Sequence, residues 1–220
     1  MKKAILLGGV CAALLVLGTG VTKSFLISQA SSADNKISSG TLNVVLSDTN
    51  ETELVNITKS WQALNVTPGD VLGESSIAIR NKGTLNAQHL DLKFAYVGDK
   101  ELAQSVVFNS TSGLILGKDK ATGDNLVAYF MGNPGTGYRL TTTTGGILPT
   151  IDGNDGSTPN GKISLSELST LGTVRVTALN QAAPIAANTQ ATLWLNALID
   201  ESLTKGGQLI DTTITFTLEQ

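Results

Sequence analysis

Cysteine and histidine are almost missing from this 220-residue chain, which contains one of each. Cys11 lies inside an apolar N-terminal run, so the chain beyond that run can form no disulfide, thiolate metal site or thiol nucleophile. His89 has no partner at a zinc-ligand spacing, and no serine lies in a Gly-x-Ser-x-Gly motif. Of the common catalytic arrangements, only a pair of carboxylates remains open. The sequence therefore favours a protein that is not an enzyme.

Charged residues are also scarce, at 15% of the chain, with 18 acidic and 15 basic residues. The N-terminal leader contains Lys2, Lys3 and Lys23 but no acidic residue, so its removal leaves 12 basic residues and a net charge of −6. A mildly acidic chain without a basic cluster is a poor partner for nucleic acid. About 190 residues then remain, which is enough for one domain with a hydrophobic core.

The N-terminus has the pattern of an export signal. Lys2 and Lys3 precede an apolar run at residues 4–21, which predicts a secretory signal peptide at residues 1–23. Its end lies between residues 22 and 30, because the small-x-small pattern Ser28-Gln29-Ala30 offers a later cleavage site. A retained membrane anchor is the alternative, although an eighteen-residue run is near the lower limit for spanning a bilayer. The leader predicts a secreted protein with no membrane association after cleavage.

Strand patterns dominate the rest of the chain. Apolar and polar residues alternate at residues 41–47, 90–97, 191–199 and 210–218, as they do in half-buried strands. Six further strands are predicted at residues 54–58, 75–81, 105–109, 126–131, 138–142 and 173–179. Two short helices are predicted, around residues 100–104 and 165–168. The sequence therefore predicts an all-β domain at residues 37–220, a single antiparallel β-sandwich of jelly-roll type with one or two short helices.

Three turn-rich motifs follow the leader in a particular order. They are Ser39-Gly40-Thr41-Leu42-Asn43, Asn65-Val66-Thr67-Pro68-Gly69-Asp70 and Arg80-Asn81-Lys82-Gly83-Thr84-Leu85-Asn86-Ala87. Their order and spacing resemble the TasA/camelysin family of bacterial biofilm matrix fibre proteins, which includes the archaeal bundling pilus subunits. The resemblance extends from the leader to about Val97 and returns at the C-terminal strand. It implies a structural subunit of an extracellular filament.

Residues 24–36 form an N-terminal segment that is a candidate donor strand. Its apolar residues have no evident partner within their own domain, and an exposed sheet edge is a template for another strand. The resemblance implies that such a segment completes the sheet of the neighbouring subunit, so that subunits polymerise head-to-tail. The candidate donor residues are Ser24, Phe25, Leu26, Ile27, Ser28, Gln29 and Ala30. The ordinary alternative is a disordered terminal tail.

Residues 152–167 contain the one motif that looks like a site. Asn160, Gly161 and Glu167 reproduce the later positions of an EF-type Ca²⁺ loop. The earlier positions fit only if the loop is expanded, and the candidate ligands are then Asp152, Asn154, Asp155, Asn160 and Glu167. The simpler interpretation, which we favour from the sequence, is a polar turn followed by a helix that Ser164 and Glu167 cap. No other cofactor is expected.

Four Asn-x-Ser/Thr sequons are candidate glycosylation sites, at Asn50, Asn56, Asn65 and Asn109. Sugars at these turns would keep an extracellular fibre soluble.

Two functions are compatible with these observations. The favoured one is a subunit of a pilus or biofilm matrix fibre at the cell surface, whose main partner is another copy of itself, alongside other matrix or cell-surface proteins. The alternative is a monomeric secreted adhesion or binding module with the same fold.

Overall fold

The computed structural model describes residues 28–29, 44–47, 53–54, 57–63, 68–179, 183–204 and 208–219. The predicted signal peptide lies outside these residues, as do most of the donor segment and the sequons at Asn50, Asn56 and Asn65. None of the helices that the structure describes is long and apolar enough to cross a membrane.

The described residues form fourteen strands, and every pairing between them is antiparallel. The first seven are β1 (Ser28–Gln29), β2 (Val44–Ser47), β3 (Glu53–Leu54), β4 (Ile57–Ala63), β5 (Val71–Asn81), β6 (His89–Gly98) and β7 (Val106–Phe108). The others are β8 (Leu114–Gly117), β9 (Asp124–Asn125), β10 (Tyr138–Thr142), β11 (Ile163–Ser164), β12 (Thr173–Ala178), β13 (Gln190–Ile199) and β14 (Gln208–Glu219).

The strands divide into two sheets. The first sheet has the order β1, β14, β6, β12, β10, and β4 also pairs with β14. The second has the order β11, β7, β13, β5, β2, β3, with β8 on β13 and β9 on β8. Each sheet therefore contains one long strand from the C-terminal part of the sequence that pairs with several others, β14 in the first sheet and β13 in the second.

One hydrophobic core lies between the two sheets. In β13 every second residue is buried, from Ala191 to Ile199, and the same alternation runs along β14 from Ile210 to Leu218. Phe94 of the first sheet meets Phe108 of the second edge-to-face, with ring centroids 6.3 Å apart. Residues from both sheets belong to a single buried cluster. The predicted all-β class is confirmed, whereas the jelly-roll connectivity stays a prediction.

Three short helices connect the strands in the described ranges, one more than the sequence predicted there. They are α1 (Lys100–Ser105), α2 (Leu126–Phe130) and α3 (Leu165–Leu171). The prediction of a strand at residues 126–131 was wrong, because that segment is α2. The Asn125 side chain accepts a hydrogen bond from Val127 N and starts the helix, while Leu126, Val127 and Phe130 are buried at helical spacing.

Two turns hold the strand ends in place. Gly69 has φ +87°, a left-handed conformation that favours glycine, and its N–H donates to Ile199 O at 2.7 Å. The fully buried Asn81 closes the turn after β5, because its Nδ2 donates to Leu85 O at 2.8 Å and its Oδ1 accepts from Gly83 N at 2.9 Å. These bonds satisfy a polar side chain that burial would otherwise penalise.

Candidate functional site

The outer edge of β14 is the part of the first sheet where the N-terminal segment meets the domain. One edge of β14 pairs with β6 along residues 210–219. The opposite edge pairs with β4 at residues 208–214 and with β1 at Thr217 and Leu218. Two short strands from different parts of the chain therefore share this outer edge.

The N-terminal segment thus has a partner in its own chain, which the sequence analysis did not find. Ser28 lies opposite Leu218, and Gln29 lies opposite Thr217. The expectation that the segment lacks a partner in its own domain was wrong, because the C-terminal strand offers unpaired backbone groups beyond the end of β4. We call this place, the outer edge of β14 at residues 217–218, the donor slot.

A half-buried ion cluster lies beside the donor slot, on the sheet face that points away from the core. Arg175 on β12 contacts Asp91 on β6 through two hydrogen bonds of 2.9 Å, and it also pairs with Glu219 at the end of β14. Asp91 is 5% exposed. Hydrogen bonding to Asp91 raises the pKa of Arg175, although burial opposes this rise. A bidentate contact between a guanidinium and a carboxylate holds both groups in a defined orientation. The cluster therefore links β12, β6 and β14 beside the donor slot.

Sequence reasoning missed this cluster because Asp91 stands between Leu90 and Leu92 in a regularly alternating strand. That pattern predicts an outward-facing surface residue. The cross-strand register, with Arg175 opposite Asp91 and Asp91 opposite Thr217, is what brings the charges together. A sequence alone does not give this register.

The predicted helix cap in residues 152–167 is confirmed. Ser164 Oγ accepts from Glu167 N at 3.2 Å, and Glu167 Oε2 accepts from Ser164 N at 2.7 Å, which together form a capping box at the start of α3. The second carboxylate oxygen of Glu167 accepts from Gly153 N at 2.5 Å. The cap therefore also ties the preceding loop to the helix.

The other candidate ligands of this loop separate into two groups. Asp152 accepts from Asn160 N and Gly161 N at 2.8 Å each, and the Asn154 Nδ2 donates to Glu167 O at 3.2 Å, so Asp152 holds the turn at residues 160–161 and Asn154 contacts Glu167. Asp155 instead accepts from Gln104 Nε2 at 3.1 Å and from Ser157 N at 2.9 Å. Across the described ranges, no group of three or more His, Cys, Asp or Glu residues is placed to hold a metal ion.

The remaining sequence candidates lie apart from both places. Asn109 forms a local turn in which its Oδ1 accepts from Thr111 N and Thr111 Oγ1, at 2.9 and 2.7 Å. His89 lies on β6 with its Nδ1 3.1 Å from Thr177 Oγ1. Among the residues that the structure describes, His89 belongs to no group of three or more side chains that could hold a metal ion.

A groove beyond the β10 edge of the first sheet was not predicted. It has a volume of about 680 Å³ and is lined by Tyr129, Met131, Tyr138, Leu140, Ile147 and Leu179 among others. Ile147 is 94% exposed and Leu179 is 54% exposed. Ile147 lies in a glycine-rich loop whose sequence has no strand or helix periodicity. The sequence therefore shows an apolar residue in this loop but does not show that it lines a groove.

No family model matches the chain, and no curated protein matches its sequence. The resemblance to the TasA/camelysin family therefore stays a prediction that the three motifs carry.

Proposed function

We propose that this protein is a structural subunit of an extracellular homopolymeric filament, in which the N-terminal segment of each subunit occupies the donor slot of the next. The observation that carries the proposal is the pairing of β1 with the outer edge of β14. A strand that docks through backbone hydrogen bonds makes the same bonds whether it comes from its own chain or from a neighbour. Exchange between copies then requires no new interaction chemistry.

The chain has enough length for this exchange. Fourteen residues separate β1 from β2, and such a segment spans up to about 50 Å when extended. A neighbouring domain is therefore within reach. When each subunit donates its segment to one neighbour and receives a segment from another, the contact is head-to-tail, and such a contact builds a fibre when its rotation does not close.

The short length of β1 also favours exchange. Among the residues that the structure describes, β1 pairs with β14 at two positions, whereas β6 pairs with β14 at ten. Releasing β1 exposes few backbone groups, and the ion cluster of Arg175, Asp91 and Glu219 keeps β14 in place while the slot is empty. The leader and the three motifs that resemble the TasA/camelysin family support the same assignment and place the filament outside the cell. The proposal assigns no catalytic role to any residue.

A cross-strand cysteine pair tests the exchange. Directly opposite residues of an antiparallel pair lie about 4.5–5.5 Å apart at Cα, within the range of a disulfide. The double variant Ser28→Cys and Leu218→Cys, with Cys11→Ser where the leader is retained, should form intermolecular disulfides once filaments have assembled. Oxidised filaments should then run as a covalent ladder on a non-reducing gel.

The pair Lys93→Cys and Thr173→Cys is the matched control, because these residues are opposite each other on β6 and β12. It should give disulfides within single chains only. If filaments of the first variant contain only internally bridged monomers, each subunit keeps its own N-terminal segment and the exchange is refuted.

The apolar groove favours a second candidate, a monomeric binding or adhesion module. Its volume falls in the range of small-molecule sites, and its walls are mostly apolar and aromatic, as in such sites. Electron microscopy and sedimentation of the concentrated protein separate the two functions. Ordered filaments support the first, and a monomer at every concentration supports the second.

A further inference from the structure

The loop at residues 152–167 carries a feature that the helix cap does not explain. The Oδ1 atom of Asn154 is buried and accepts no hydrogen bond from any group that the structure describes. A buried acceptor without a partner costs about 1–3 kcal/mol, and native proteins usually leave such an atom only where water or an ion satisfies it. The amide is not simply reversed, since its Nδ2 donates to Glu167 O.

The neighbouring carboxylate of Glu167 is incompletely satisfied as well. Glu167 is 3% exposed, and no lysine or arginine in the described part of the chain forms an ion pair with it. The nearby Lys162 ammonium pairs with Asp200 instead. Buried charges in proteins are normally paired with an opposite charge or coordinate a metal. Each Glu167 oxygen accepts one backbone N–H and has a second lone pair available.

From these two observations we propose that residues 152–167 form a Ca²⁺ site whose ligands include Asp152, Asn154, Asn160 and Glu167. Carboxylate and amide oxygens are the ligands that Ca²⁺ prefers, and the ion accepts six to eight of them. In an expanded EF-type loop, Asp152 and Asn154 supply the early oxygens, Asn160 supplies the oxygen before the turn glycine, and Glu167 supplies the last carboxylate. Gly161, with φ +74°, makes the sharp turn that this loop type requires.

The cap and the ion are compatible in one loop. The capping box uses one lone pair of Glu167 Oε2, and a carboxylate offers about four such positions in all.

The proposed ligand set contains only two charged groups, and a small number of charged ligands weakens Ca²⁺ binding. The expected dissociation constant is therefore about 10⁻⁴–10⁻³ M, as in extracellular calcium modules. The site does not depend on whether the protein polymerises.

Thermal unfolding of the purified protein with CaCl₂ and with EDTA tests the site. At 10 mM Ca²⁺ the expected rise in Tm is about 3–10 °C, from mass action on the folded state. MgCl₂ at the same concentration should give a much smaller rise, because Mg²⁺ demands a tighter octahedral set. Isothermal titration with CaCl₂ should give one ion per chain.

Asp152→Asn and Glu167→Gln should both remove the response to Ca²⁺. Each variant keeps one of the two side-chain oxygens that accept loop N–H groups and loses the other. Asp155→Asn is the matched control, since its carboxylate faces Gln104 and Ser157 and not Glu167. This control should retain the full rise in Tm. If Glu167→Gln does not fold, the Tm response of Asp152→Asn and the calorimetric titration still test whether the loop binds Ca²⁺. An unchanged Tm for the wild-type protein, or an equal loss of response in Asp155→Asn, would overturn the proposal.

Discussion

Single acidic residues on the loops are held by hydrogen bonds that favour their ionised form. Burial alone would raise the pKa of Asp155, but hydrogen bonds from Ser166, Ser157 and Gln104 outweigh it and lower the pKa to about 2. Burial likewise opposes ionisation of Asp200, and the contacts with Lys162 and Ser202 lower its pKa. The contribution of both residues to the stability of the folded protein therefore depends on pH.

The sign of this linkage follows from the lowered pKa. Asp155 binds a proton more readily in the unfolded chain, with a pKa of 3.8, than in the folded one, so its stabilisation is present above pH 4 and is lost as the pH falls towards 2. Asp155→Asn should show a shallower fall in stability between pH 4 and pH 2. Urea unfolding midpoints at pH 2, 3, 4, 5 and 7 measure this slope. The exposed Glu201→Gln controls for a lost surface charge, and equal slopes for Asp155→Asn and wild type would contradict the assignment.

At this scale the sequence indicated candidates but not their partners. Ser164 and Glu167 were predicted as a cap because the motif has a fixed local spacing. Asp155 was grouped with the other loop oxygens, yet its carboxylate faces α1, about fifty residues earlier in the chain. Contacts between distant segments depend on how the sheets pack, which local patterns do not encode.

At the scale of elements, α3 depends on its first residue. The helix has seven residues, so its free N–H groups are a large share of its hydrogen-bonding groups. Its Leu165 and Leu168 side chains are buried in the core. The cap therefore stabilises a helix that is too short to form alone.

Ser164→Ala should lower the free energy of unfolding by about 1 kcal/mol, because the Glu167 N–H loses its acceptor. Ser169→Ala in the same helix is the matched control, and it should be neutral or slightly stabilising since alanine is the better helix former. Chemical denaturation of both variants in EDTA measures the difference without any contribution from Ca²⁺. Equal stability of Ser164→Ala and wild type would show that the cap contributes nothing.

Element prediction succeeded where one face of a strand meets solvent. β6, β13 and β14 were found from their alternation. All four residues of β8 are buried, so this strand shows no alternation and was missed. The segment of α2 is apolar and short, and such runs fit a strand or a helix equally well. Its Asn125 cap was the one local signal that favoured a helix.

At the scale of the whole molecule, the first sheet does not require β1. In the described part of the chain β1 pairs with β14 at two positions, and the pairings of β14 with β6 and β4 do not involve the N-terminal segment. Removal of the N-terminal segment should therefore abolish polymerisation without preventing the domain from folding.

Deleting residues 24–33 should leave a folded monomer that forms no filaments. Circular dichroism and sedimentation check the fold, and electron microscopy checks the polymer. A synthetic peptide of residues 24–33 should bind the truncated protein and raise its Tm, whereas the same peptide with Gln29→Pro should bind less well because proline removes a backbone donor. Normal filaments from the truncated protein would refute the role of the segment.

The position of β14 in the chain sets the order of events during biosynthesis. Its three partners, β1, β4 and β6, are all synthesised before it, and β1 waits for almost the whole chain. The first sheet therefore cannot close before β14 itself has been synthesised. If the chain is exported and polymerises as proposed, this delay leaves the donor slot unformed in a chain that is still being made, so that such a chain cannot yet accept the N-terminal segment of another copy.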